Sequence, residues 1–333
     1  MPCLLVTQSI AGRYGDAIRS AAGPDTTLAV IPTDGTAPSK QALEGVDVAF
    51  LSTDLMGASN KTTPNEGLRT FALAVSSSPA LQWIHTCSAG ADREILQLSM
   101  QRGVKVTTSS GANAQAVAQT AIAGMLALGR GVPHWVLQQA ACQWSTRRGN
   151  MAPQDIDGTH ALVIGMGPVG QAIGRICKAM GLRTTGVRRN AQPEPGFDAV
   201  LSYDNMPAIL GTVDWVFLAC PLTSVTRELV DAHFIAALPH GARLINVSRG
   251  DVVQEGALHQ ALRDGRLAGC YSDVFVEEPL PPESPWWTVP NTLISAHGAA
   301  ASKGFPQRTV DAFVQNLGRY VRGEALVNLA SPA

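Results

Sequence analysis

The chain has 333 residues, a length that predicts two domains rather than one core. Its formal net charge of -1 argues against a nucleic-acid surface, which needs a basic excess. No apolar run reaches the roughly 18 residues of a membrane span, and residues 1–16 read as a first β-strand rather than a secretion signal. Six scattered cysteines without a CxxC pair predict free thiols in a reducing cytoplasm. No histidine and cysteine cluster has zinc spacing, so no metal is expected.

The first third of the chain alternates short apolar segments with helical patterns, which predicts a parallel sheet. A long helix rich in small residues follows, with Asn113 as its predicted N-cap. A further helical stretch holds Trp135 and Trp144. The predicted strands are 3–8, 27–32, 48–53, 81–86 and 104–109, and the predicted helices are 12–22, 91–102 and 113–129.

A polar segment, 147–158, contains Pro153 and Gly158 and is predicted to be a surface connection. A second series of strands and helices begins at His160. Its predicted strands are 160–165, 183–188, 197–202, 214–220, 242–248, 267–274 and 292–297, with a helix over 168–180. The last helical pattern, 305–322, is expected to return to the first domain. The order of elements therefore predicts an α/β chain.

A glycine-rich turn joins the first strand and the first helix of the second series. It reads Gly165-Met166-Gly167-Pro168-Val169-Gly170, a GxGxxG pattern. Gly165 permits the tight turn, Gly167 lets the backbone approach a pyrophosphate, and Gly170 lets the helix and the strand pack closely. The N–H groups at the helix start would bind the phosphates. The pattern predicts a dinucleotide site, and the alternative is a purely structural turn.

The end of the next strand indicates which dinucleotide is bound. Enzymes that use NAD usually place an acid there, where it accepts hydrogen bonds from the ribose 2′-hydroxyl. This chain has Arg188 and Arg189 instead, beginning 18 residues after Gly170. Two guanidiniums would bind a 2′-phosphate, so NADP is predicted, with NAD still possible. The alternative is that both arginines are solvated surface residues.

Several motifs between residues 160 and 300 carry a family resemblance. Residues 244–258, 272–280 and 290–300, together with 218–230 and the glycine-rich turn, resemble the D-2-hydroxyacid dehydrogenases, which include glyoxylate/hydroxypyruvate reductases. The resemblance implies a Rossmann-type, doubly wound parallel-sheet domain that binds the dinucleotide. It implies that this domain is inserted into a smaller, flavodoxin-like α/β domain that binds substrate and is formed by both chain ends. The expected boundaries are 104–299 for the first and 1–103 plus 300–333 for the second.

The same resemblance implies three catalytic residues, namely Arg249, Glu278 and His297. A 2-keto acid offers a carboxylate that an arginine can hold with its planar fork. Hydride attack builds negative charge on the carbonyl oxygen, so a protonated imidazole must deliver a proton. A neighbouring carboxylate stabilises that protonated form. Glu277 is the alternative partner, and a structural role is the alternative for His297.

Further contacts are expected, all of them implied by the resemblance except those of the two tryptophans, which are inferred from their position just before the strand of His297. Backbone N–H groups of Ser88, Ala89 and Gly90 would bind the substrate carboxylate as an anion nest, the alternative being an ordinary turn. Trp286 and Trp287 would line the pocket or serve packing. A homodimer is expected through the region around Trp135 and Trp144. The implied cofactor contacts outside the glycine-rich turn and the arginines are Cys220, Pro221, Thr226, Val247, Asp273 and Gly298.

The sequence thus predicts an oxidoreductase that transfers a hydride between NADP(H) and a small 2-keto acid or D-2-hydroxy acid, in the manner of glyoxylate/hydroxypyruvate reductases. One alternative is a corepressor-like protein that senses dinucleotides with the same fold. A second is a formate dehydrogenase-like enzyme, although those generally have Gln at the position of Glu278. A third is a reductase with a catalytic lysine, and only Lys303 lies beside the matched motifs.

Overall fold

The computed structural model describes residues 2–56, 65–149 and 152–331. Its strands are β1 (Cys3–Thr7), β2 (Thr27–Ile31), β3 (Val48–Leu51), β4 (Trp83–Thr86), β5 (Lys105–Thr108), β6 (His160–Ile164), β7 (Arg183–Val187), β8 (Ala199–Leu201), β9 (Trp215–Leu218), β10 (Ala242–Asn246), β11 (Leu267–Ser272) and β12 (Thr292–Ile294). Its helices are α1 (Gln8–Ala22), α2 (Lys40–Glu44), α3 (Thr53–Met56), α4 (Glu66–Ser76), α5 (Glu94–Gln101), α6 (Ala114–Arg130), α7 (Val132–Ala140), α8 (Pro168–Ala179), α9 (Ala232–Ala237), α10 (Glu255–Arg263) and α11 (Phe305–Val321). Short 3₁₀ helices cover Met206–Thr212, Gly250–Val252 and Pro285–Trp287.

The chain divides into two compact units, one of residues 1–113 with 302–333 and the other of residues 114–301. The first unit contains a parallel sheet of five strands in the order β2-β1-β3-β4-β5. Strands β3 and β4 are buried along their whole length, as expected for a sheet covered on both faces. On one face the ring of Phe313 from α11 stacks on Phe50 at 4.4 Å. The C-terminal helix therefore completes the core of the first unit.

The second unit contains a parallel sheet of seven strands in the order β12-β11-β10-β9-β6-β7-β8. The chain runs outward from β6 through β7 to β8, and then returns to the other side of β6 with β9. The strand order therefore reverses between β6 and β9, as in a doubly wound fold. Loops at the carboxyl ends of these two strands flank the crevice where such sheets bind ligands. The predicted Rossmann-type α/β fold is confirmed.

The boundary between the units differs from the expected one. Strand β5 pairs with β4, with Lys105 opposite Trp83, so residues 104–113 belong to the first unit. At the other end the boundary follows Ala301 rather than residue 299. A strand pattern alone does not say which of two parallel sheets a strand joins, which explains the shift of ten residues at the first boundary. In the predicted connection 147–158, residues 150 and 151 lie outside the described part of the chain.

Helix α6 shows why its sequence is rich in small residues. A Cβ on Gly124 would lie 2.5 Å from the ring of Tyr271 in β11, and Ala118 and Ala121 are fully buried. Small side chains let the helix backbone approach the sheet closely enough to accommodate that ring. Among the described helices, none is both long and apolar enough to cross a membrane.

Candidate active site

The glycine motif forms the turn between β6 and α8. Gly165 has a φ of 95°, and a Cβ there would lie 2.4 Å from the backbone nitrogen of Cys220. A Cβ on Gly170 would lie 1.9 Å from the carbonyl oxygen of Gly165. Close backbone packing therefore requires both glycines. At Gly167, by contrast, a Cβ would meet no atom within 4 Å, so the backbone there faces open space.

The start of α8 fits a pyrophosphate. The helix begins at Pro168, directly after Gly167, and no side chain caps its first N–H groups. Val169 is half-buried in the first turn. Uncapped N–H groups and the positive end of the helix dipole favour an anion. The turn also lies at the point where the strand order reverses. The residues present therefore fit a dinucleotide.

The loops after β9 and β10 contain four of the other predicted cofactor contacts, namely Cys220, Pro221, Thr226 and Val247. Cys220 is buried, and burial raises the pKa of its thiol to about 12, so it is a neutral wall of the crevice. The hydroxyl of Thr226 donates to the carbonyl oxygen of Pro221 at 2.7 Å and accepts from the N–H of Thr223 at 2.8 Å. Thr226 therefore shapes its own loop, a role that the sequence did not predict. The N–H of Val247 extends the pairing of β10 with β9.

The two arginines after β7 occupy different environments. Nη1 of Arg188 lies 3.2 Å from a carboxylate oxygen of Glu194, and Nη2 donates to the carbonyl oxygen of Gln192. Arg189 is exposed. The sequence predicts two guanidiniums for a phosphate, and in the structure Arg188 is engaged with the segment that follows it.

Arg249 extends from a tight loop at the carboxyl end of β10. The side-chain oxygen of Asn246 accepts hydrogen bonds from the N–H of Ser248 at 3.0 Å and from its hydroxyl at 2.7 Å. The side-chain amide of Asn246 donates to the carbonyl oxygen of Arg249 at 3.1 Å. A Cβ on Gly250 would lie 2.0 Å from the carbonyl carbon of Phe275. The loop that carries Arg249 is thus packed against the backbone just before Glu278.

Glu278 and His297 form a close pair in the second unit. Nδ1 of His297 lies 2.7 Å from Oε2 of Glu278. Oε1 of the same carboxylate accepts from the N–H of Phe275 at 2.9 Å. The side chain of His297 is 43% exposed and that of Glu278 is 14% exposed. Because Glu278 holds Nδ1, the ring presents Nε2 to a reactant, which is the arrangement of a proton donor positioned by a carboxylate.

Asp273 holds the loop that carries His297. One carboxylate oxygen of Asp273 accepts from the hydroxyl of Ser295 at 2.5 Å, the N–H of Gly298 at 2.8 Å and the N–H of Ala299 at 3.0 Å. Its backbone carbonyl accepts from the N–H of His297, whose φ is 50°. These hydrogen bonds hold His297 in the left-handed region of backbone conformation, which residues other than glycine rarely adopt. Asp273 and Gly298, which the sequence assigned to the cofactor, are bonded to each other here.

Sequence reasoning missed the supports of this loop. The hydroxyl of Tyr271 lies 2.7 Å from the hydroxyl of Ser295, which in turn donates to Asp273. Both residues stand close to matched motifs, at the end of β11 and just before His297. Their polar side chains in otherwise apolar strand segments were the available signal. The pattern did not show that the two side chains meet.

The structure also distinguishes Glu277 from Glu278 as the partner of His297, and a pocket role from a packing role for the two tryptophans. Glu277 is exposed, whereas Glu278 contacts His297. Trp286 is buried and meets Phe275 edge to face at 5.2 Å, so it packs behind the loop of Glu278. Trp287 is exposed and donates its indole N–H to a backbone carbonyl. Trp286 therefore has a packing role.

The predicted anion nest lies in the first unit, in the loop after β4. The N–H of Ser88 donates to the hydroxyl of Thr86 at 3.2 Å, so it is already used within the loop. Gly90 does not have the positive φ of a left-handed nest residue. Of the predicted N–H donors, Ala89 and Gly90 stay candidates for a carboxylate.

A glycine turn at the reversal point and a carboxylate-paired histidine define a dinucleotide-dependent oxidoreductase. Within residues 2–56, 65–149 and 152–331, no group of three or more His, Cys, Asp or Glu side chains could hold a metal ion. Arg249, Glu278 and His297 are the candidate catalytic residues of the second unit.

Comparison with known proteins identifies the family of this chain. Residues 122–299 match the family model described as D-isomer specific 2-hydroxyacid dehydrogenase, NAD binding domain. A glyoxylate reductase from Korarchaeum cryptofilum is 30% identical over 261 residues, which cover 76% of this chain and 77% of the relative.

Solved structures agree with this match. A D-isomer specific 2-hydroxyacid dehydrogenase family protein from Aeromonas salmonicida has a TM-score of 0.80 at 26% identity, covering 100% of this chain and 99% of that one. A family member from Xanthobacter autotrophicus Py2, solved with NADPH and MES, has a TM-score of 0.78 at 26% identity, covering 99% and 98%. The chain belongs to the D-isomer specific 2-hydroxyacid dehydrogenase family and is an NAD(P)-dependent oxidoreductase.

Proposed function

We propose that this enzyme reduces small 2-keto acids, glyoxylate or hydroxypyruvate among them, to D-2-hydroxy acids with NADPH. The observation that carries the proposal is the 2.7 Å contact between Glu278 and Nδ1 of His297, beside the packed loop of Arg249. The similarity to a glyoxylate reductase supports the substrate class.

The three residues divide the work as follows. Arg249 holds the substrate carboxylate and its charge polarises the adjacent carbonyl. Nε2 of protonated His297 gives its proton to the carbonyl oxygen as negative charge develops there. Glu278 stabilises the protonated ring and fixes its orientation through Nδ1. A bound nicotinamide supplies the hydride in reduction and accepts it in oxidation.

Preference for NADP is the second part of the proposal. Exposed Arg189 and, once released from its own loop, Arg188 would bind the 2′-phosphate. The NADPH bound to the Xanthobacter relative supports this assignment. The glycines at 165, 167 and 170 would hold the pyrophosphate.

Three further features complete the proposal. The N–H groups of Ala89 and Gly90 would contribute to binding the substrate carboxylate. Exposed apolar side chains at Trp135 and Leu137 of α7, together with Trp144, support a homodimer. The six cysteines are all free, which supports a reducing cytoplasmic location.

The test is turnover of a panel of 2-keto acids, including glyoxylate, hydroxypyruvate and pyruvate, each with NADPH and with NADH. We expect consumption of NADPH with the smallest acids, and loss of that activity in His297→Ala. A protein that binds NADPH but turns over none of the acids would be the corepressor-like sensor. Oxidation of formate without reduction of any keto acid would identify the formate dehydrogenase-like alternative.

A further inference from the structure

In the segment after β7, the carboxylate of Glu194 lies beside Arg188. Nη1 of Arg188 pairs with the carboxylate of Glu194, and Nη2 donates to the carbonyl oxygens of Gln192 and Pro193. Nε of Arg188 is buried and has no hydrogen-bond partner among the described residues. Both terminal nitrogens of this guanidinium are therefore engaged by residues 192–194, and the third nitrogen is covered. In this arrangement Arg188 cannot offer its two-nitrogen fork to an incoming ligand without giving up one of these partners.

A 2′-phosphate and the carboxylate of Glu194 present the same chemistry to Arg188. Both are anionic oxygens that bind a guanidinium fork. The ion pair is only partly screened, because the side chains of Arg188 and Glu194 are 26% and 22% exposed. A ligand that engages Arg188 must first separate it from Glu194, and the released carboxylate then lies near a dianion. Neither cost arises for a dinucleotide with a ribose hydroxyl at that position.

We infer that Glu194 is a specificity-determining residue which occupies Arg188 in place of the 2′-phosphate and so limits the preference of the enzyme for NADP over NAD. The inference deepens the proposed function, since it assumes that the adenosine ribose lies at the end of β7. Arg189, which is exposed, attracts the 2′-phosphate without first having to be released from a carboxylate. Glu194 thus sets how strong the selectivity is.

The direct experiment measures dissociation constants of NADP⁺ and NAD⁺ by titration calorimetry with wild type and Glu194→Gln. Glutamine keeps the shape of the side chain and removes its charge. The ion pair is partly exposed, so its removal should tighten NADP⁺ binding by roughly 3- to 10-fold. NAD⁺ binding should change less than about 2-fold, because the hydroxyl gains little from a free guanidinium. Equal changes for both dinucleotides would show that Glu194 only orders the loop, and would overturn the inference.

Two further variants establish that the effect passes through Arg188. In an Arg188→Met background only the repulsion between the carboxylate and the phosphate remains, so Glu194→Gln should tighten NADP⁺ binding by less than it does in wild type, as a double-mutant cycle measures. A gain as large as in wild type would mean that the carboxylate acts on the phosphate without Arg188, which contradicts the inference. Glu324→Gln in the first unit removes the same charge from another glutamate paired with an arginine. That control should leave both dissociation constants unchanged. Tighter NADP⁺ binding in the control would mean that the effect of Glu194→Gln comes only from the change in net charge.

The same titrations separate this inference from the proposed cofactor preference. If wild type prefers NADP⁺ and Glu194→Gln changes nothing, only the inference fails. If wild type prefers NAD⁺ and the variant moves toward NADP⁺, the proposed preference fails and the role of Glu194 stands. If wild type prefers NAD⁺ and the variant changes neither constant, both fail.

Discussion

The two units of this chain each contain a histidine near the carboxyl end of a parallel sheet, and the surroundings of the two rings are opposite. His85 in β4 is fully buried, with its ring nitrogens 2.8 Å from the hydroxyl of Thr107 and 3.0 Å from that of Ser109. Burial lowers its pKa to about 3. His297 is partly exposed, and its Nδ1 faces the carboxylate of Glu278.

The comparison shows how the partner and the solvent decide what a histidine can do. Two hydroxyls satisfy a neutral imidazole, and burial then makes its protonation unfavourable, so His85 is structural. A carboxylate on one ring nitrogen and a partly exposed ring, as at His297, suit acid–base chemistry. The predictions for His297 and His85 each alter one side of this contrast, and the prediction for Arg249 tests the residue proposed to act beside His297.

Removal of His297 should have the largest effect. His297→Ala should lower the rate of keto-acid reduction by roughly 10²–10⁴-fold because the proton donor is lost. The melting temperature should stay close to that of wild type, since the ring is partly exposed. The matched control is His240→Ala, which removes an exposed histidine of the same unit. Steady-state kinetics that fall equally in both variants would contradict the assignment.

Arg249→Lys should have the next largest effect. Lysine keeps the charge but cannot hold a carboxylate with a planar fork. We expect kcat/KM for the keto acid to fall by roughly tenfold or more, equivalent to about 1.4 kcal/mol or one charge-assisted bond. Arg227→Lys, at an exposed arginine paired with Asp251, is the comparison. Unchanged kinetics in Arg249→Lys would remove this residue from the substrate site.

His85 should affect stability in acid. Its folded pKa of about 3 lies below the ordinary value of 6.5, so between these values the unfolded chain binds more protons. The neutral ring therefore supports the fold above pH 6.5, and this support is lost as pH falls toward 3. His85→Gln should lower the melting temperature at pH 7.5, yet show a smaller further drop at pH 4.5 than wild type. An equal drop in the two proteins would mean that His85 is not the group that titrates.

The sequence predicted those parts of the site that depend on order along the chain. The glycine turn, the strand ends and the residues Arg249, Glu278 and His297 lie in motifs of short, fixed spacing, so position in sequence determined position in the fold. The predicted strands follow from apolar segments whose two faces are both buried in a parallel sheet. Both kinds of pattern are local.

What the sequence could not predict depends on where loop side chains turn. Asp273 and Thr226 were assigned to the cofactor, and the sequence did not reveal that the carboxylate of Asp273 and the hydroxyl of Thr226 form hydrogen bonds within the site's own loops. The Arg188 and Glu194 pair spans only six residues, yet its contact depends on how residues 189–193 fold back. Residues 104–113 were placed in the wrong unit because sheet membership is a long-range property.

The most direct test of the Glu278 and His297 pair is kcat/KM for keto-acid reduction in Glu278→Gln, with Glu277→Gln as the control. Reduction needs a proton from the imidazole, and the contact of 2.7 Å lets Glu278 orient the ring and stabilise its charge. Glu278→Gln should therefore lower kcat/KM by roughly tenfold, or about 1.4 kcal/mol, whereas the exposed Glu277 should leave it unchanged when replaced. A kcat/KM that is unchanged in Glu278→Gln, or that falls in Glu277→Gln instead, would contradict the pairing.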